Sequence, residues 1–138
     1  MPAKAESRLW KNLRDATKDK VRWTRMESWA LPGVPDLYGI AEGYSFWVEL
    51  KVHRLKLLKA IKLSPHQINW QIQHIRHGGV VWNLVSHPPS RTLHLITGKR
   101  ALELGQMTEN KGPIEPDYSW KVPFPWEKII DQMLSAQS

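Results

Sequence analysis

Apolar and polar residues alternate along the segment Tyr44–Val52, which is the pattern of a β-strand with one buried face. Asp36–Ala41 precedes this strand, and the intervening Glu42-Gly43 pair predicts a hairpin between the two. Val21–Met26 also alternates, which predicts a strand near a sheet edge. Successive side chains of a strand point to opposite faces, so Tyr44–Val52 has an apolar face and a second face that carries Ser45, Trp47, Glu49 and Lys51.

Apolar residues at helical spacing predict a first helix over Glu6–Thr17 and a second that begins after Ser64. Serine is a common N-cap residue, and the Pro65 that follows it suits the first helical position. Gln67 lies three residues after the serine and completes a capping box. Gly78-Gly79 predicts the end of this helix, whose buried stripe is predicted to be Ile68, Ile72 and Ile75.

Further along, the chain predicts two more strands, Val80–Ser86 and Thr92–Thr97, and a short helix over Lys99–Leu104. One helix, three strands, a second helix and two strands therefore follow one another. This order predicts an α/β fold with a mixed central sheet of about five strands flanked by helices.

The last quarter of the chain differs from the rest in amino-acid composition. Gln106–Pro125 is rich in glycine, proline and polar residues and is interpreted as a linker or a surface wrap. A C-terminal helix is predicted next, because its apolar stripe has helical spacing: Trp126, Ile129, Ile130, Met133 and Leu134. We therefore divide the chain into a core over residues 1–105 and a tail over residues 106–138, which either folds back onto the core or contacts a second subunit.

Charge and composition narrow the class of partner. The chain has 138 residues, enough for one domain, with 20 Lys and Arg against 13 Asp and Glu and a formal charge of +7. Such an excess favours a polyanion, because neutralising phosphates releases condensed counterions. Cysteine is absent, which excludes disulfides and thiolate metal sites. No apolar run reaches the ~18 residues of a membrane helix and no signal peptide is visible, so we expect a cytoplasmic protein of a bacterial cell or phage-infected host.

Three residues of the predicted hairpin carry candidate chemistry. Asp36 follows a Gly/Pro-rich turn, while Glu49 and Lys51 share one face of the next strand. If the two strands pair, both carboxylates and the ammonium group meet at one surface. Mg²⁺ is usually bound through one or two carboxylates plus water and phosphate, and a nearby cation stabilises the charge of the reacting phosphate. Simpler interpretations are a turn aspartate bonded to its own backbone and a solvated ion pair.

At these residues the sequence resembles the PD-(D/E)xK nuclease superfamily. Pro35-Asp36 is similar to the PD half of the motif and Glu49-Leu50-Lys51 to the ExK half, and Ser64-Pro65-His66-Gln67 then opens a helix. The order of GxPD, ExK and SPxQ resembles the VRR-NUC and Holliday-junction-resolvase-like branches, many of them from phages, over roughly residues 6 to 98. The resemblance implies a restriction-endonuclease-like core.

The resemblance also implies roles for individual residues. Asp36 and Glu49, with the backbone carbonyl of Leu50, would be the metal ligands, Lys51 a catalytic lysine and Gln67 a supporting residue. The branch commonly has a further acidic residue upstream, and both Glu6 and Glu27 qualify as this helper acid.

Basic residues follow the ExK strand closely. Arg54, Lys56, Lys59 and Lys62 form either a solvated face or a surface that binds the DNA backbone, and their position favours the second interpretation. The tryptophans Trp10, Trp47, Trp70 and Trp82 are better explained as core or subunit contacts than as platforms for bases. Trp47 is the exception, because it shares the Glu49 face and would be a wall or a water shield of the metal site.

These features together predict a Mg²⁺-dependent DNA endonuclease, with Mn²⁺ able to substitute, that acts on branched DNA in the manner of a Holliday junction resolvase. A homodimer would place two active sites at a fixed separation for opposing strands. A flap or end-processing nuclease of the same fold remains an alternative, as does a module that binds DNA without cutting it.

Overall fold

The computed structural model of the chain describes residues 4–27, 31–59, 61–106 and 113–136. In chain order its helices and strands are α1 (Lys4–Thr17), β1 (Arg22–Arg25), β2 (Leu37–Ala41), β3 (Tyr44–Val52), α2 (Pro65–Arg76), β4 (Val81–His87), β5 (Thr92–Thr97), α3 (Ala101–Gln106), β6 (Tyr118–Lys121) and α4 (Trp126–Ser135). Among these residues no helix combines the length and the apolar character needed to cross a membrane.

The strands form one mixed sheet in the order β1-β2-β3-β4-β5-β6. Among the described strands only β3 and β4 run parallel, because α2 and the loop before it make the crossover between them. The other neighbours are antiparallel. The β2–β3 hairpin turns at Glu42 and Gly43, whose φ angles of 54° and 81° match the positive values of a type I′ turn. The predicted α/β class with a mixed sheet and flanking helices is confirmed.

The sheet has one strand more than the sequence analysis predicts. β6 arises within the segment interpreted as a linker or wrap and pairs with β5 at the sheet edge. Its sequence, Tyr-Ser-Trp-Lys, alternates aromatic and polar residues, which suits a short edge strand despite the prolines around it. Residues 107–112 of the same segment lie outside the described residues.

Helices cover both faces of the sheet. α1 and α4 pack on the face of Phe46, Val48 and Leu50, where Ile129 and Met133 of α4 are fully buried. The apolar stripe of α4 is therefore packed against the core of the same chain. α2 and α3 lie on the opposite face, which carries Glu49 and Lys51.

The capping box predicted for α2 is present. The Ser64 hydroxyl accepts a hydrogen bond from the Gln67 amide at 3.1 Å, and the Gln67 side chain accepts one from the Ser64 amide at 2.9 Å. The predicted buried stripe was wrong in its residues: Ile68, Ile72 and Ile75 are only half-buried, and the fully buried residue of α2 is Gln71. Gln71 can be buried because it hydrogen-bonds to Asn83 of β4.

Candidate active site

A rigid turn places Asp36 beside β3. Gly33 has a φ angle of +90°, and a Cβ atom at this position would lie 2.3 Å from the His66 carbonyl oxygen, so the turn packs directly against the start of α2. The Asp36 carbonyl accepts a hydrogen bond from the Met26 amide at 2.7 Å. The Asp36 carboxylate accepts one from the Leu50 amide at 2.8 Å. The aspartate thus reaches across the hairpin rather than bonding within its own turn.

The Asp36 and Glu49 carboxyl groups are in contact. The β2–β3 register pairs Leu37 with Val48, so Asp36 comes opposite Glu49 on the same face. Burial, and then the charge of Asp36, raises the pKa of Glu49 to about 8. Burial also raises the pKa of Asp36, while hydrogen bonds from the Leu50 amide and from the Glu49 carboxyl act against that shift. Two buried carboxyl groups this close together are suited to sharing a cation, because a bound cation offsets the cost of their charges.

Lys51 and Gln67 both contact the Glu49 carboxyl group. The Lys51 ammonium lies 3.4 Å from Glu49 Oε2 and 3.4 Å from Gln67 Oε1. Gln67 Nε2 donates a hydrogen bond to the same Glu49 oxygen at 3.1 Å. One Gln67 side chain therefore both caps α2 and contacts the acidic pair.

The donor set suits a hard divalent cation. The described residues contain no cluster of three or more His, Cys, Asp or Glu side chains that would form a metal cage by themselves. Asp36 and Glu49 offer carboxylate oxygens. The amide of Leu50, whose carbonyl is the predicted third ligand, donates a hydrogen bond to Asp36. Two carboxylates with main-chain oxygen and open positions for water match the way Mg²⁺ binds to proteins.

The two candidate helper acids lie in different surroundings. Glu6, on the first turn of α1, lines the cleft beside Lys51, and its charge adds to the rise in the pKa of Glu49. Glu27 is exposed just beyond β1 and has none of the described contacts with the Asp36–Glu49 pair. The structure thus brings Glu6, and not Glu27, to the acidic pair.

A cleft of about 410 Å³ opens at Lys51, which contacts Glu49, and Arg54 and Lys62 are among its other lining residues. Lys56 and Lys59 belong to the same basic loop, residues 53–63, but lie outside the cleft lining. The described residues of this loop, 53–59 and 61–63, form no helix or strand, and the buried side chains of Leu58, Ile61 and Leu63 anchor it to the core.

Two buried histidines also fix the basic loop. His53 Nε2 donates a hydrogen bond to the Leu57 carbonyl at 2.8 Å, and His87 Nε2 donates one to the Leu55 carbonyl at 2.7 Å. A ring nitrogen that faces a carbonyl oxygen must carry the proton, which sets the tautomer of both rings. The cationic side chains of the loop are therefore presented from an ordered backbone.

Sequence reasoning missed one polar pair next to the site. Gln71 of α2 and Asn83 of β4 exchange two amide hydrogen bonds, each 2.9 Å long, and both side chains are buried. Asn83 is the β4 neighbour of Glu49, and Gln71 lies one helical turn after Gln67. The signal available was the single asparagine within the apolar run Val-Trp-Asn-Leu-Val of β4.

Comparison with known proteins supports the fold. No protein-family model matches the sequence, and no curated protein sequence does. Hjc from the archaeal hyperthermophile Archaeoglobus fulgidus, a Holliday junction resolvase, superposes with a TM-score of 0.53 over 84% of this chain and 88% of its own, at 15% sequence identity. This chain has the fold of that resolvase. The predicted restriction-endonuclease-like core is thereby confirmed as a fold.

A structure described as a VRR_NUC domain is also similar, with a TM-score of 0.49 and 21% identity. The match covers 74% of this chain and 95% of that domain.

Proposed function

We propose that this protein is a metal-dependent nuclease that hydrolyses phosphodiester bonds of DNA. The observation that supports this most directly is the contact between the Asp36 and Glu49 carboxyl groups, with the Lys51 ammonium 3.4 Å from Glu49. The site opens into a cleft lined by further cations, on a chain whose formal charge is +7. A buried acidic pair beside a basic cleft suits a cation and a polyanion together.

Asp36, Glu49 and the carbonyl of Leu50 would hold a Mg²⁺ ion, and Mn²⁺ would substitute for it. When bound, the ion supplies charge neutralisation at the phosphate and a water molecule of lowered pKa. Lys51 is placed to bind a phosphate oxygen or orient the attacking water. Gln67 holds the side chains of Glu49 and Lys51 in position through hydrogen bonds to both.

Glu6 is the helper acid that the geometry favours over Glu27, because it shares the cleft with Lys51. The DNA backbone would run along the basic loop, where Arg54, Lys56, Lys59 and Lys62 supply cations for phosphate contacts.

The substrate we propose is branched DNA, and the fold shared with a Holliday junction resolvase supports this choice. Symmetric cutting of a junction would require two copies of the chain. The stripe of α4 is buried within its own domain, so a homodimer would form through another surface. We also propose that the protein acts in the cytoplasm of a bacterial cell or a phage-infected host.

Cleavage of a labelled four-way junction, a flap and a linear duplex in Mg²⁺ or Mn²⁺ tests this function. We expect the wild type to cut the junction in preference to the other two, and Asp36→Ala to cut none of them. Preference for the flap would favour an end-processing nuclease of the same fold. Tight binding without cutting in either metal would favour a non-cleaving DNA-binding module, and cutting by Asp36→Ala would overturn the assigned site.

Lys51→Ala separates chemistry from binding. The ammonium stabilises charge that grows in the transition state, so we expect cleavage to fall at least 100-fold while junction affinity changes less than about threefold. The matched control is Lys121→Ala, an exposed lysine of β6, which should cut like the wild type. An equal loss of affinity and rate in Lys51→Ala would contradict a role confined to the chemical step.

A further inference from the structure

The sheet face that carries the acidic pair is only partly covered. On this face α2 and α3 pack over β4 and β5, where Val85 and Ile96 are fully buried. Toward β1 and β2 the described residues leave the same face open: Ile40 is 40% exposed and Arg22 is exposed beside it. An open sheet surface thus adjoins the acidic pair on the side away from the basic loop.

Aromatic side chains line the boundary between this open surface and α2. Tyr38 and Trp47 pair across β2 and β3 with ring centroids 4.8 Å apart, and Trp47 meets Trp70 of α2 edge-on at 5.0 Å. His74, one turn further along α2, stacks on Trp70 at 4.6 Å. We call these four residues the aromatic ladder. All four are half-buried, whereas Trp10 and Trp82 are core residues, as the sequence analysis expects of them.

The aromatic ladder begins two residues along the strands from the acidic pair. Tyr38 is two residues after Asp36 and Trp47 is two residues before Glu49, all on one face, so the rings begin about 7 Å along the strands from the carboxylates. That span equals about two base steps of a stacked strand, at 3.4 Å per step. A phosphate held at the acidic pair therefore brings a neighbouring base within reach of the rings.

Polar side chains adjoin the ladder on its outer side. Trp70 and His74 border a shallow groove of about 320 Å³, which is also lined by Asn69, Gln73 and His77. Amide and imidazole groups offer both donors and acceptors to the edge of a base. Rings flanked by such groups are the arrangement that binds bases outside a duplex.

We propose that the aromatic ladder binds an unpaired, unstacked nucleobase of the DNA strand whose phosphate lies at Asp36 and Glu49. This inference rests on the proposed function and adds to it a substrate feature, a base that is splayed out of its stack next to the cut. The aromatic ladder and the acidic pair form one continuous surface, with Arg22 at one margin and the basic loop at the other. The positive charge at both margins suits DNA better than a second copy of this chain, whose own formal charge is +7.

The test compares two labelled junctions that carry a short single-stranded arm, one with normal bases and one with abasic positions in that arm. Binding is measured by fluorescence anisotropy in EDTA, so the readout needs no cleavage. We expect Trp70→Leu to weaken binding of the normal junction about tenfold and to leave the abasic junction unchanged, because stacking is the interaction removed. Trp70→Phe should keep most of the affinity.

Matched controls keep the comparison sharp. Trp120→Leu removes a half-buried tryptophan from β6 at the far sheet edge and should leave both affinities unchanged. Tyr38→Leu should repeat the effect of Trp70→Leu, whereas Tyr118→Leu on β6 should not. The Tyr38 variant also keeps the inference testable if Trp70→Leu does not fold.

Equal losses on the normal and abasic junctions would overturn the inference. So would a fall in sedimentation mass on Trp70→Leu, since the ladder would then belong to an interface between copies. A wild type that cuts no DNA in Mg²⁺ or Mn²⁺ would refute the proposed function and leave the binding contrast measurable. If the wild type cuts DNA normally but the variants bind the normal and abasic junctions equally well, base binding by the aromatic ladder would be refuted and the proposed function would stand.

Discussion

At the scale of single residues, the site depends on a carboxyl group in unfavourable surroundings. Glu49 is 3% exposed and lies against Asp36, so its charged form loses hydration and meets a like charge. Lys51 and Gln67 compensate this only in part. Buried carboxyl pairs of this kind concentrate at functional sites, because a bound cation reverses the electrostatic penalty.

The raised pKa of Glu49 predicts how stability depends on pH without metal. The pKa of Glu49 is about 8 in the folded protein, against the usual 4.5 in an unfolded chain. The folded state therefore binds this proton more tightly, and the stability gained in this way is complete below pH 4.5 and is lost as the pH rises to 8. Asp36 shifts in the same direction. Burial is the main reason that the pKa of His94 is lowered from its usual 6.5 to about 4. The effect of His94 on stability therefore varies only between pH 4 and pH 6.5. The window from pH 6.5 to 8 therefore reports the acidic pair.

In EDTA we expect the Tm of the wild type to fall from pH 6.5 to 8 and that of Glu49→Gln to change much less, as followed by circular dichroism. Glu115→Gln, at an exposed glutamate, should behave like the wild type. A wild-type Tm that stays level or rises across this window would count against a buried acidic pair.

Strand alternation explains how far the sequence predicted the site. It placed Glu49 and Lys51 on one face, and pairing of the hairpin then brought Asp36 to them. The Gln71–Asn83 pair was not predicted, because apolar periodicity assigns the buried positions of α2 to isoleucines and carries no information about a polar partner on β4. Which of Glu6 and Glu27 lies near the acidic pair depends on where α1 crosses the sheet, which the sequence pattern does not specify.

At the scale of elements, α2 joins the parts of the site. Its N-terminal end packs on the Gly33 turn, Gln67 contacts the acidic pair, and Gln71 attaches the helix to β4. The short strand β6 was missed because its four residues sit among prolines and glycines whose composition is that of a loop. The stripe of α4 was predicted, but only tertiary packing reveals what covers it.

Gln71→Leu tests this attachment. The change removes both hydrogen bonds between Gln71 and the buried Asn83 amide, which keeps only a 3.5 Å contact with the Ile96 carbonyl. We therefore expect the free energy of unfolding to fall by about 1–3 kcal/mol in urea denaturation. Gln71→Leu combined with Asn83→Leu removes both polar groups and should cost less than the two single changes added together. Gln73→Leu, on the exposed side of the helix, is the control. Additive losses would show that the two amides are not coupled.

At the scale of the whole molecule, the proposed function and the fold together predict a path for the DNA. The basic loop and the aromatic ladder lie on opposite sides of the acidic pair, so one strand would pass from phosphate contacts, across the carboxylates, to the rings. The loop contribution should be electrostatic and sensitive to salt, and the ladder contribution should not be.

Salt dependence separates these two contributions. Lys62→Ala removes one cation from the cleft and should lower the slope of log affinity against log salt concentration by about 1. Trp70→Leu should weaken binding at every salt concentration with the slope unchanged. Lys121→Ala should alter neither quantity. A slope that is the same in Lys62→Ala and the wild type would place the DNA backbone elsewhere.

The most direct measurement of the central claim is the anomalous scattering of a crystal soaked in Mn²⁺. We predict a peak bound by the carboxylates of Asp36 and Glu49 and by the Leu50 carbonyl, and no such peak in crystals of Asp36→Ala. An ion at another place, or crystals of the wild type without a peak at this pair, would contradict a shared metal site and the nuclease chemistry built on it.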